Sequence, residues 1–406
     1  MNSRVWLVAA MLLALSLSST TASTSWAAGP VDPYIPKTLV ELVEFCDFVL
    51  LVRTSELVKP SAKKADDDDS ADKSAAEKPV LRMHVVRIAK QPDEKRYAVG
   101  TRIDLEVRGD YPVGRLFLMT GLSEHDGSID WYAPEPFAAV DFDYLLAAPS
   151  SERPDVERVA HFLKFFDNPS ATIAKDACIE LRSVSMSTLF ASSRSLKPSR
   201  LRPLLASESS TYSQRELAGI MLGGCGDDSD ADRLRDLALG DLGKNRAGRL
   251  GAMIGLVRLE GPQGLDQIDR AVLSNPRVSF RVLYEGIQAV RTIRDSTPRR
   301  VSLQRCIESL RQVLGHPEYC DLVIGDLVRA GDWSVLERVK RIYNQAEGKD
   351  VDVIRMAMIK YILAAADDLS QGPKAPLVSA AKRHLDACRR LTPKLVERIE
   401  GRRADK

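Results

Sequence analysis

Aromatic side chains are scarce in this 406-residue chain: four Trp, ten Tyr and ten Phe make up 6% of it. A core so poor in rings must be filled by aliphatic residues. Cysteine is as sparse. Cys46, Cys178, Cys225, Cys306, Cys320 and Cys388 stand singly and far apart, with no C-x-x-C or C-x-x-C-H. Small disulfide scaffolds crowd their cysteines into one short domain, so that class is excluded. The five histidines (His84, His125, His161, His316 and His384) form no H-E-x-x-H or other short zinc pattern. No G-x-S-x-G, P-loop or strand-embedded G-x-G-x-x-G occurs. After the first apolar run, no stretch reaches the length that spans a bilayer.

That first run fixes an expected compartment. Arg4 precedes an apolar segment over residues 5–17, then small polar residues, then Ser25-Trp26-Ala27. A charged start, a short hydrophobic core and a small-x-small site read as a signal peptide over residues 1–27. The expectation is export to the periplasm or the cell exterior, with no transmembrane segment in the mature chain; an uncleaved anchor is the alternative. No Cys follows the apolar core, unlike in a bacterial lipoprotein.

Near residue 150 the hydrophobic period changes. Before it, β-rich runs alternate every second residue, most strictly in Arg102-Ile103-Asp104-Leu105-Glu106-Val107. The spacing predicts a short helix over 38–45 and strands over 47–58, 80–90, 101–108 and 115–120, with further strands at 129–132 and 137–142. Residues 59–79 read as a solvated, disordered insert. Its contiguous Asp66–Asp69 lacks the spaced ligands and the Gly of a calcium loop. In Phe48–Leu57, Leu81–Lys90, Val99-Gly100-Thr101-Arg102-Ile103 and Gly114-Arg115-Leu116-Phe117-Leu118 the domain at 28–148 resembles small secreted β-barrels of OB-fold or netrin-like type. Metalloproteinase inhibitors of that fold use a mature N-terminal Cys. This chain would begin at Ala28-Gly29-Pro30 and holds only Cys46 there, which argues against that activity.

After residue 150, amphipathic segments of about a dozen residues succeed one another. Ser213-Gln214-Arg215-Glu216 matches a capping box, and Gly226-Asp227, Gly240-Asp241 and Gly331-Asp332 pair a helix end with a cap. Asn168-Pro169, Asn275-Pro276, Thr297-Pro298, His316-Pro317 and Thr392-Pro393 set Pro at expected helix starts. Leu303, Cys306, Ile307, Leu310, Val313 and Leu314 share one stripe. Starts near 168, 209, 275 and 316 lie about 41, 66 and 41 residues apart. With Arg215-Glu216-Leu217-Ala218-Gly219-Ile220-Met221-Leu222-Gly223, residues 152–403 resemble HEAT-like repeats of exported bacterial proteins. The resemblance implies a right-handed α-solenoid and supplies no activity. The expected fold class is therefore α+β, a small β-barrel-like domain followed by an all-α HEAT-like solenoid.

Residues 28–151 carry 15 Lys and Arg against 22 Asp and Glu, and residues 152–406 carry 42 against 34. The basic half suits a partner that is another protein or an anionic envelope polymer. Alternatively the charges pair between the halves or solvate helix faces. Export disfavours nucleic acid. No catalytic residue, cofactor or metal ligand is assigned. A metal-dependent or hydrolase-like site around His125, Asp126, Asp130, Asp141 and Asp143 is the competing reading, against a turn that favours Asp and Gly for its geometry alone. Gly223-Gly224-Cys225-Gly226 reads as a helix-ending turn. The cysteines read as buried small hydrophobes, with a Cys306–Cys320 bridge across His316-Pro317 as the alternative. The leading expectation is a non-catalytic interaction or scaffold protein.

Overall fold

A computed structural model describes residues 38–58, 79–93, 96–109, 111–240, 248–348, 350–368, 370 and 375–404. The signal segment expected at 1–27 and all but the last residue of the insert expected at 59–79 lie outside the described residues. The chain divides into two compact units, Met1–Val184 and Ser185–Lys406. Six strands and seventeen α-helices are found among the described residues, and the fold is α+β.

The first unit opens with α1 (Leu39–Phe45), capped by the Thr38 hydroxyl, which accepts the Glu41 N–H. Strands β1 (Phe48–Val58), β2 (Val80–Lys90), β3 (Arg102–Glu106), β4 (Leu116–Ser123), β5 (Ile129–Trp131) and β6 (Glu135–Pro136) form one antiparallel sheet. Its order is β3-β2-β1-β4-β5, with β6 also on β4. The sheet curls into a half-barrel. Register irregularities between β1 and β2 are of the kind that bends a strand pair. Leu50, Val52, Leu81, Met83, Val85, Ile103, Phe117 and Met119 fill the concave core, all from alternate positions of their strands. Val49 and Leu51, on the opposite face of β1, are equally buried, so central strand β1 is covered on both sides.

The segment 137–142, expected to be a strand, turns instead into α2 (Ala139–Ala147). Pro136, lacking a donor, ends the two-residue β6. Beyond it Asp141, Phe142, Tyr144 and Leu145 turn inward at helical rather than alternating spacing. Helices α3 (Asp155–Phe162) and α4 (Ala171–Ser183) complete the unit. Asp176 of α4 accepts the Leu39 N–H at 2.6 Å and the Tyr144 hydroxyl at 2.7 Å, joining α1, α2 and α4 through one buried carboxylate. At the other end of α1, the Lys90 ammonium donates to the Val43 and Glu44 carbonyls, where a cation suits the helix dipole.

The second unit is helical throughout among its described residues. It runs α5 (Met186–Ser193), α6 (Pro198–Ala206), α7 (Tyr212–Cys225), α8 (Asp228–Leu239), α9 (Arg249–Glu260) and α10 (Pro262–Ile268), then a π turn (Asp269–Leu273). There follow α11 (Phe280–Asp295), α12 (Leu303–Gln312), α13 (Asp321–Arg329), α14 (Leu336–Gln345), α15 (Val351–Asp367), α16 (Pro376–Leu391) and α17 (Pro393–Ala404). The capping box of α7 lies two residues earlier than expected. Thr211 accepts the Gln214 N–H, and Gln214 accepts that of Thr211, while Glu216 is buried one turn further in. Asp227 caps α8 after Gly226, as the Gly-Asp pattern predicts. Asp332 does not cap a helix; it pairs with Arg311, and α14 begins four residues later. Of the five expected X-Pro starts only Pro393 heads a helix, because a residue before Pro is pushed to extended backbone and serves turns equally well.

Two facing helices, α7 and α9, touch along glycines. A Cβ built on Gly219 would lie 2.7 Å from the Gly251 carbonyl carbon, and one on Gly223 would lie 2.7 Å from the Gly255 Cα. On Gly251 it would overlap the Glu216 carbonyl oxygen, and on Gly255 that of Gly219. The backbones therefore meet directly, an approach only glycine permits. All six cysteines are free thiols, Cys306 and Cys320 included. Cys320 donates to the Pro317 carbonyl at 3.2 Å, and burial pushes its thiol up to about 12.

Candidate functional site

The loop singled out as a competing metal or hydrolytic centre is occupied by local contacts. His125-Asp126-Gly127 is a turn in which Asp126 accepts both the N–H and the hydroxyl of Ser128, which holds its carboxyl below the usual range. Asp130 lies on β5 opposite Leu122. Asp141 accepts the Ser170 hydroxyl at 2.6 Å, and Asp143 pairs with Arg87 at 2.5 Å. These carboxylates are parcelled out to different partners. Among the described residues no three His, Cys, Asp or Glu side chains converge to hold a metal.

The remaining histidines serve the frame. His84 is half-buried on β2, opposite Arg53 and Arg102. His161 packs against the rings of Tyr144, Phe162 and Phe165, and burial together with Lys164 pushes its pKa down. His316 is buried with Nε2 2.9 Å from the Leu273 carbonyl, so it ties a turn to an earlier helix rather than opening a new one. His384 stands edge-on to Tyr343. Trp333, in the turn before α14, is buried, and its indole donates to Asp368.

In the helical unit a series of arginines bridges helices close in sequence. Arg202 of α6 clasps Asp230 of α8 at 2.8 and 2.9 Å. Arg235 of α8 reaches Glu260 and Gln267, and Arg305 of α12 reaches Asp266 and Asp269. Asp326 of α13 is wholly buried and receives Arg291, Arg294 and Arg329 at 2.6–2.7 Å. Charge that would otherwise suit an external partner is in these places consumed internally. Charge-assisted pairs of this geometry fix which helix faces meet.

Two surface features stand apart from this frame. The first is a trio of rings. Phe280 and Tyr284, one turn apart on α11, stack at 6.0 Å, and Tyr319 meets Phe280 at 5.0 Å. Phe280 is 48% exposed and Tyr284 42%, in a chain with few aromatics to spare. Arg281, beside them, is 57% exposed and bonds the buried Glu285. The second is a group of arginines, Arg194, Arg258 and Arg300, for which no carboxylate partner is found among the described residues. Comparison with protein-family models, curated proteins and solved structures returns no match.

Neither feature was singled out in the sequence. Phe280 and Tyr284 stand at i and i+4, a spacing as common in cores as on surfaces. Gly219-x-x-x-Gly223 and Gly251-x-x-x-Gly255 do repeat one pattern, which signals close helix approach once the two are set side by side.

Proposed function

We propose that the chain is an exported, non-catalytic interaction protein that binds a partner protein through the surface of its helical unit. Export follows from the residue pattern at 1–27. The observation that carries the binding reading is the pair of exposed stacked rings, Phe280 and Tyr284, backed by the half-buried Tyr319, with Arg281 beside them. Aromatic and arginine side chains dominate the energetic centres of protein interfaces, and exposed stacked rings lose little rotamer freedom on binding.

The same reading takes the helices as a right-handed HEAT-like solenoid. It is supported by helix contacts that join near neighbours in order, such as α7 with α9 and α9 with α11, as one-dimensional stacking requires. The interhelical ion pairs, which join residues 28 to 36 positions apart, agree with it by linking helices close in sequence.

The test is recovery of partners from native cells after mild cross-linking, using the full chain and its Phe280→Ala/Tyr284→Ala variant. The expected result is one reproducible protein partner, reduced at least about tenfold with the variant, as loss of interface aromatics typically does. An anionic polymer in place of a protein, or equal recovery by both chains, contradicts the proposal.

A further inference from the structure

We propose that Arg194, Arg258 and Arg300 form a binding site for a phosphate group on the helical unit. The site stands on an observation independent of the ring trio, and neither proposal needs the other.

Its construction begins at the glycine seam. Arg258 lies in the last turn of α9, and its Cβ would be 2.8 Å from a Cβ on Gly223 of α7. Because Gly223 has none, α9 closes on α7 and the Arg258 side chain is carried over the buried Phe190 ring of α5, 4.8 Å from its centroid. Arg194, the C-terminal cap of α5, follows Phe190 by one turn and so stands on the same side of that helix. The segment after α11 closes the group. Thr297 donates its N–H to the Ser187 hydroxyl at 3.0 Å, with the two hydroxyl oxygens 2.7 Å apart. Arg258 then donates to the Pro298 carbonyl at 2.6 Å, and Arg300 to the Leu259 carbonyl at 2.8 Å. Reciprocal clamps between 258–259 and 298–300 fix both arginines at the seam between the two segments.

Each of these guanidiniums spends one N–H edge, or none, on a backbone carbonyl, and carbonyls leave their charge uncancelled. Elsewhere in the unit Arg202, Arg235, Arg291, Arg305 and Arg311 all meet carboxylates. Burial pushes the Arg258 pKa down, and the neighbouring cations Arg300 and Arg194 push it the same way. A tetrahedral phosphate supplies the missing charge and enough acceptor oxygens for several planar donor forks at once. A single phosphate and the phosphate groups of an anionic polymer present the same chemistry here.

Calorimetric titration of the full chain at low, chloride-matched ionic strength tests the site, with inorganic phosphate and a polyphosphate chain as probes. The expected result is saturable binding that Arg300→Gln and Arg194→Gln each weaken about tenfold or more. Both side chains are on exposed residues, so these variants should fold even if Arg258→Gln does not. Arg341→Gln, on exposed α14 surface, should bind as the parent does. Tighter binding of polyphosphate through the same arginines assigns the site to a polymer, and equal affinity per site assigns it to a single phosphate. No saturable binding of either probe, or undiminished binding by both Arg300→Gln and Arg194→Gln, overturns the proposal.

Discussion

The two units bury their polar groups in opposite ways. The sheet unit keeps its concave core wholly apolar and concentrates buried charge beside it, in Asp141, Asp176 and Glu180 of its helices. The helical unit distributes charge along its length, with Asp230, Glu285, Asp326 and Asp332 each meeting an arginine of another helix or of an adjacent turn. Apolar alternation specifies a sheet register by itself, since a one-residue slip turns every core side chain outward. A helix stack offers many near-equivalent apolar packings. Directional pairs and a glycine seam select among them. The helical unit should therefore be the more sensitive to single polar or small-residue changes, and the sheet unit to pH at one carboxylate.

The largest expected effect tests the seam. Gly251→Val places two methyls against the Glu216 carbonyl and should cost about 3–5 kcal/mol, with loss of helical circular dichroism at lower denaturant. An unchanged urea midpoint would mean that α7 and α9 do not meet through backbone.

Next comes the buried aspartate. Asp326→Asn leaves Arg291 and Arg294, both largely buried, without their counter-charge and should cost about 3 kcal/mol in the same measurement. A cost within error would show that the pairs decorate the stack rather than select it.

A smaller, pH-dependent effect belongs to the sheet unit. Burial pushes Asp176 up to about 6 against the opposing pull of the Leu39 N–H and the Tyr144 hydroxyl. A carboxyl whose folded pKa is raised holds its proton longer in the native state. Its contribution is fully present below about pH 4 and is lost as pH rises through about 6, on the order of 2–3 kcal/mol in all. An amide in its place carries no such titration, so the stability difference between Asp176→Asn and the parent should grow in the variant's favour from pH 4 to 7. A difference independent of pH would contradict this assignment. The smallest effect concerns the exposed rings, where Phe280→Ala/Tyr284→Ala should shift stability by less than about 1 kcal/mol, as surface changes do.

Much of the sheet could be read from residues alone. Runs rich in β-formers placed β2 at its observed ends and β1 and β5 within one residue, and strict alternation placed β3 within two, because residue type and turn chemistry agree there. The same logic failed at 137–142. Phe137, Val140 and Phe142 allow either period, and Pro136 decides the outcome by ending the strand before them. Helices after residue 150 were legible as helices, while their starts were displaced wherever Pro served a turn instead. The surface features were not legible. Whether an arginine meets a counter-charge depends on residues far along the chain: Arg202 meets Asp230, 28 positions away, while Arg258 meets the carbonyl of Pro298, 40 positions away. Pairing of that kind is a tertiary fact with no local signature.

The most direct test of the account is to map, by cross-linking and mass spectrometry in native cells, where on the chain its partner is attached. The account predicts cross-links confined to the helical unit, clustered on α11 and the turn holding Tyr319. Cross-links confined to the sheet unit would contradict it.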